Sequence, residues 1–466
     1  MRARRDCTVG AASAPAEPGE LVSIFVPDSH PLLQLHRAVD WEAITAVMVK
    51  HWRQAGKNVD GGRGLPWPVP LYVPLLVLMW VESLHSRQME KYVSESVVAR
   101  RFLDWTEQPL MPIRDHASIA RAEAALGAEG KAEVNALIIK TAVEVGLTDG
   151  KILSSDTTVQ EPQIGYPNEP GILKGMAQRI ERNLKKLKGR GVKVAQAGIE
   201  KTKEIYHSVN QYHLLAKTKP AKQKILQRLV KQSEQLIEKT REVIEQVGAW
   251  GEPVKQKAVA RLKRMVEVSG QLIPQIKHWL KTGRVAAGKI IHAGITEARA
   301  IVKGQGRVKF GMKWLINRLS GGYLFGERVE AQADENKMPE KALKDYREVF
   351  GQQENPEMVV YDRGASLSVA AKKLHAEGVE KVGIPPRGQG EWMVGEEDQK
   401  VVKSERGKTE GSIGRLKSKK YGFSHRQERS LQTQDAAGQR AIVSVNLNTL
   451  MRDLVKQAKA ANLQQG

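Results

Sequence analysis

One cysteine, Cys7, in 466 residues rules out an intramolecular disulfide and any cysteine-rich zinc site, and suits a reducing compartment. The opening MRARRDCTVGAASAPAEPGE is Arg-rich and then small-residued, without the apolar centre of a signal peptide. Long apolar runs are missing too. The most apolar stretch, LYVPLLVLMWVESL at 71–84, is short for a membrane span and contains Pro74 and Glu82, so a buried helix is expected there. Internal repeats and long low-complexity tracts are absent. These absences point to a cytoplasmic protein with no membrane partner.

Acidic residues are the other scarcity. The chain has 74 Lys and Arg against 52 Asp and Glu, a net charge of +22. Residues 171–290 alone hold 27 basic and 9 acidic side chains. Most of the excess therefore sits in one quarter of the chain, an electrostatic footprint for a polyanion, because each cation near a phosphate releases a condensed counterion. Nucleic acid is the leading partner; a membrane surface competes poorly, since these helices lack the aromatic anchors of an interfacial helix.

A chain of this length supports two or three domains. Residues 1–37 read as a mobile N-terminal arm, and 38–146 as a helical N-terminal DNA-binding domain with GGRGLPWPVP (61–70) as an internal break and Arg87, Lys91, Arg100 and Arg101 on its surface. A helical domain with a solvated basic face is the plainer alternative. Residues 147–170 hold a first strand, KILSSDTTV at 151–159, and 171–290 a basic helical insertion with heptad-spaced Leu229, Leu236 and Val243. Residues 291–466 then alternate. VKFGMKWLI (308–316) and YLFGERV form a hairpin turned at SGG, and helix 339–350, strand 358–362, helix 366–378 and strand 380–384 follow. This order predicts an α/β fold with a mixed sheet.

Asp156 lies in or just past the first strand, and Asp362 ends the apolar strand MVVYD, which places it at the carboxyl edge of a sheet. On a helix through SERGKTEGSIGRLK, Arg406, Glu410 and Lys417 fall within about 40° of one another. Three ionised carboxylates make a hard oxygen site for Mg²⁺, with Mn²⁺ as a substitute. Two such ions about 4 Å apart serve in-line attack at phosphorus. Each residue alone also has a structural reading: a strand-end Asp before Arg-Gly is a common turn, and a Glu four residues after an Arg is a common surface pair.

Together the segments resemble the DDE transposases of bacterial insertion sequences, whose catalytic core is RNase H-like. SSDTTVQEPQIGYPNEPGIL (154–173) looks like the first-aspartate segment with its downstream Tyr-Pro, and MVVYDRGAS (358–366) like the second. RGKTEGSIGRLKSKKYGF (406–423) is similar to the Arg-x3-Glu-x6-Lys signature at Arg406, Glu410 and Lys417, with Lys403 where that signature often has tyrosine. Weaker echoes lie at 62–93 and 436–454. The resemblance implies an RNase H-like mixed sheet flanked by helices, and assigns Asp156, Asp362 and Glu410 as ligands of two Mg²⁺ ions. It assigns Arg406 and Lys417 to double-stranded DNA at the terminal inverted repeats. It further implies cleavage at element ends, strand transfer into target DNA and a homodimer or larger assembly on DNA. An RNase H-like nuclease or resolvase that does not join, and an inactive DNA-binding derivative, stand as alternatives.

Other residues read more plainly. His375 is expected to be half-exposed and without a role. Most tryptophans are expected in cores, with Trp392 open between packing and base stacking. GQGRVKFG (304–311) lacks the Gly-Lys-Ser/Thr ending of a phosphate loop and precedes a strand. Gly407, Gly411 and Gly414 weaken the helix around Glu410 or let DNA approach closely.

Overall fold

The computed structural model describes residues 26–60, 69–104, 116–248, 252–303, 306–386, 388, 390–424 and 430–465. Most of the expected arm, most of the 61–70 break, Cys7, Trp67, Trp105 and Trp250 lie outside them. In chain order come α1 (Pro31–Ala38), α2 (Trp41–Gln54), α3 (Val69–Val81), α4 (Ser86–Glu95), α5 (Val97–Phe102), α6 (His116–Glu144) and β1 (Ile152–Gln160). Next are α7 (Glu169–Lys188), α8 (Ala195–Leu214), α9 (Lys219–Val247), α10 (Pro253–Thr282), β2 (Arg299–Lys303), β3 (Arg307–Leu319) and β4 (Leu324–Val329). The chain closes with α11 (Met338–Phe350), β5 (Met358–Val360), α12 (Leu367–Ala376), β6 (Lys381–Gly383), α13 (Glu396–Leu416) and α14 (Leu431–Gln465).

The expected α/β architecture with a mixed sheet is observed. β1 is its centre, antiparallel to β3 on one side and parallel to β5 on the other. β6 extends the parallel side. β3 is long enough to carry two partners in succession along its far edge, β2 against Arg307–Gly311 and β4 against Lys313–Arg318. The alternation read in 308–316 arises because successive side chains of a strand point to opposite faces. Met312, Trp314 and Ile316 enter a core with Ile413, Leu416 and Ala441, whereas Leu315 and Leu319 enter the larger core on the other face.

That larger core is continuous from the amino-terminal helices to the sheet. It joins Leu35, Trp52, Trp80, Ile138, Leu315, Val359, Leu374 and Leu447. α3 is buried on nearly every side, which is why its sequence shows an apolar run instead of a stripe. Among the described residues no single helix is long and apolar enough to cross a membrane; α3 and α4 reach that length and composition only as a pair bent by 100°.

The insertion is four helices, α7 to α10, around a separate core. The heptad residues Leu229, Leu236 and Val243 are buried in it, with Leu226 beside them. α6 and β2 were not anticipated. α6 packs against α2, α4, α14 and the sheet together, so its apolar residues form no single stripe.

Candidate active site

The carboxyl edge of the sheet is set by the β1–β5 pairing. Leu153 aligns with Val359 and Ser154 with Val360. Two residues further along each chain, Asp156 and Asp362 leave the same face of neighbouring parallel segments. Asp156 is still inside β1, opposite Ile316 of β3. Asp362 lies just beyond β5, where its Oδ1 accepts the Gly364 backbone N–H at 2.7 Å. A Cβ on Gly364 would stand 2.7 Å from that same oxygen, so a larger residue there would displace the Asp362 carboxylate. Both aspartates are half-buried.

Their charges are felt at one common point. Tyr361, on the opposite face, has its hydroxyl pushed far up, first by burial and then by the negative charges of Glu335, Asp362 and Asp156. The Tyr361 hydroxyl donates to Glu335 Oε2 at 2.5 Å, and Lys313 Nζ pairs with Glu335 Oε1 at 2.6 Å. Thr157 Oγ1 also donates to Glu335, at 3.3 Å. Sequence reasoning missed this Lys313–Glu335–Tyr361 group. Its members are far apart in the chain, and the only available signal was the parity that puts Lys313 and Thr157 on one face.

α13 lies across β6, β5 and β1 on the face that carries Asp156. Its descent is set at Gly383 of β6, where a Cβ would stand 2.3 Å from Val402 Cγ2. Thr409 Oγ1 is then hydrogen-bonded to Ser154 Oγ at 2.7 Å, both residues being buried. Arg318 of β3 forms a buried ion pair with Glu405, and its Nε donates to Ser412 Oγ at 3.2 Å. Lys408 adds a 2.7 Å pair to Glu405.

These contacts fix which flank of α13 faces which end of β1. With Thr409 taken as facing the sheet, Glu405, Ser412 and Lys408 lie about 40° to 100° to one side at 100° per residue. That side meets Arg318 and the Ser320–Gly322 turn, at the amino end of β1. Arg406, Lys417 and Glu410 lie about 60° to 100° to the other side of the helix. Glu410 is exposed and makes no hydrogen bond or ion pair among the described residues; Arg406 is half-exposed and likewise makes none. Lys417 is the carboxyl cap of α13.

The three carboxylates do not form a closed cage. Among the described residues no group of three or more His, Cys, Asp or Glu side chains is gathered tightly enough to hold a metal ion. Asp156 and Asp362 share an edge, while Glu410 stands out in solvent on the adjoining flank. The donor set itself is all carboxylate oxygen, which fits a hard divalent ion and not a soft one.

Beside the edge opens a cavity of about 850 Å³, whose wall includes Thr157, Lys313, Glu335, Asp362, Tyr166 and Phe310. Tyr166, the tyrosine of the Tyr-Pro pair, is 80% exposed and meets Phe310 edge-on with ring centres 5.7 Å apart. Trp392 is half-buried against the Met358, Val360 and Val402 cluster, with Lys403 Nζ 5.9 Å above its ring. Packing accounts for it. Trp80 and Trp314 are fully buried, and Trp279 packs on the insertion core. α13 is continuous through Gly407, Gly411 and Gly414, and a Cβ at any of the three would meet nothing. His375 is exposed, its Nδ1 2.9 Å from the Val379 carbonyl.

Residues 21–124 match a family model described as a transposase domain (DUF772), which supports a transposase family. The matched segment covers α1 to α5 and the start of α6, ahead of every candidate site residue. No curated protein and no solved structure matches the chain.

Proposed function

We propose that the protein is a DDE transposase with an RNase H-like catalytic core, cutting DNA at the ends of an insertion sequence and transferring the freed 3′ strand into target DNA. The sheet order β4–β3–β1–β5–β6, with the first three strands antiparallel and the last two parallel to β1, supports that core. The transposase-domain match supports the DNA substrate. The observation that supports the reading most is the β1–β5 register, which runs the segments bearing Asp156 and Asp362 alongside each other, with Thr409 of α13 bonded to Ser154 of β1.

In this reading Asp156, Asp362 and Glu410 hold two Mg²⁺ ions, or Mn²⁺ in their place. When bound, the ions supply a nucleophile at neutral pH and neutralise charge on the leaving oxygen of an in-line displacement. The chain's own residues supply position. β1 and the Gly364 turn hold the aspartates rigidly, and Glu410 completes the set from a helix pinned at Val402, Glu405 and Thr409. Arg406 and Lys417, flanking Glu410 on the same side, bind phosphates of the end DNA and hold the scissile phosphodiester over the edge. The Lys313–Glu335–Tyr361 group closes the far side, its tyrosine fixed as a neutral donor.

The test incubates the protein with Mg²⁺ and the repeats that flank its gene, and looks for 3′ nicking and joined product. Asp362→Asn and Glu410→Gln should abolish both while leaving DNA binding. Cleavage that survives either change overturns the assignment, and nicking without joining makes the protein a nuclease.

A further inference from the structure

Far from the carboxyl edge, the insertion carries a second concentration of charge. α7 and α10 lie side by side. Arg179, Arg182 and Lys186 recur along α7 at three- and four-residue spacing, so they share one stripe within about 60°. Arg261 and Arg264 do the same on α10. The two stripes wall one cavity of about 560 Å³, and no Asp or Glu lines it among the described residues. Lys186, Arg261 and Arg264 have no ion pair among the described residues. Some other cations of the bundle are paired with neighbouring acids, as in Lys185–Glu181, Lys201–Glu204 and Lys239–Glu242.

The remaining wall comes from the catalytic core. Ser430 and Gln432, at the amino end of α14, line the same cavity. That end of a 35-residue helix adds partial positive charge. Gly294 admits the stripe to the core side: a Cβ there would stand 1.8 Å from the Arg179 guanidinium. Five cations and a helix amino terminus converge on one opening, a concentration of positive charge that favours an anion.

We infer that this cleft between α7, α10 and the start of α14 is a second DNA-binding site, which takes the phosphodiester backbone of a duplex. The inference rests on the reading of the protein as a transposase and adds where the insertion engages its substrate. The seven residue steps of α7 from Arg179 to Lys186 span about 10 Å, enough for about three phosphates of one strand at one per 3.4 Å of axis. A site built from both the bundle and the core also ties DNA capture by the insertion to the position of α14, which packs against α13.

The test uses the full chain with Arg182, Arg261 and Arg264 all changed to Ala. These three are exposed on helices, and Arg179, seated against Gly294, is spared. Binding of a fluorescent duplex is followed by anisotropy over a range of salt. Loss of three phosphate contacts should weaken binding at least about tenfold at low salt and make the slope of log K against log salt shallower by about 2.7. Circular dichroism checks the fold. A triple variant with wild-type affinity and slope overturns the inference while the transposase reading stands, whereas wild-type protein that binds no duplex at any salt overturns both. If inorganic phosphate raises the melting temperature of the wild type but not of the variant while the two bind duplex equally, the cleft is a small-anion site and the inference fails.

Discussion

The Thr409 hydroxyl is hydrogen-bonded to the Ser154 hydroxyl at 2.7 Å, and this buried bond ties the helix bearing Glu410 to the strand bearing Asp156. One residue past Thr409 lies Glu410, and two past Ser154 lies Asp156, so the register of the site passes through this contact. Thr409→Val keeps the shape and removes that partner, leaving the Ser154 hydroxyl without it in a site only 1% exposed. The expected loss is about 1–3 kcal/mol of stability and about a tenfold or greater fall in cleavage rate from misplacement of Glu410. Duplex binding should hold. Urea unfolding and single-turnover cleavage measure the two; a destabilised variant with full activity would show that this bond does not position the site.

Arg318 and Glu405 are a second tether, both less than 10% exposed. Arg318→Ala leaves the buried Glu405 carboxylate paired with Lys408 alone and should cost up to about 3 kcal/mol, whereas replacing both residues by Met should recover most of that loss. Chemical denaturation of the two variants decides this, and a double variant no more stable than Arg318→Ala contradicts it.

The glycines of α13 are an opposite case. Gly407, Gly411 and Gly414 lie within about 60° of one another on the side away from Thr409, exposed and with empty space around each would-be Cβ. Changing all three to Ala should raise stability by up to about 3 kcal/mol, at about 1 kcal/mol each. If the bare face exists to admit DNA, the same variant binds end DNA more weakly. A stabilised variant with unchanged end-DNA affinity would leave the glycines without that role.

Stability should also fall in mild acid because of His292. Burial, helped by the nearby Arg179 charge, pulls its pKa down to about 4, and its Nδ1 accepts the Ile295 N–H at 3.1 Å. A base depressed in the folded state binds more protons when unfolded, so its stabilisation is complete above about pH 6.5 and is lost as pH falls toward 4. At pH 5 the loss should be about 2 kcal/mol. Comparing unfolding at pH 7 and pH 5 for wild type and His292→Gln tests this, since the variant should lose that part of the pH dependence.

Much of the sheet was legible in sequence because its strands announce themselves locally: alternation in 308–316, the SGG turn, and the apolar run before Asp362. Asp156 and Asp362 could each be assigned to a strand or its end from local pattern, but that β1 and β5 are neighbours is set by the long-range pairing. The helix at Glu410 could be placed despite three glycines, because its inward residues Val402, Thr409, Ile413 and Leu416 keep helical spacing. What escaped was long-range. Glu335 reaches the site from a turn between β4 and α11, and α6 is packed on several sides at once, so neither leaves a periodic mark. The cleft on the insertion escaped for the same reason, since its charge was visible but the pairing of α7 with α10 was not.

The central claim is that Asp156, Asp362 and Glu410 jointly hold divalent ions. Titrating Mn²⁺ into the protein bound to its end DNA and counting bound ions by electron paramagnetic resonance addresses it without relying on turnover. Two bound ions in the wild type, with occupancy lost in Asp156→Asn, Asp362→Asn and Glu410→Gln alike, is the predicted result. Unchanged Mn²⁺ occupancy in any one of the three variants would contradict it.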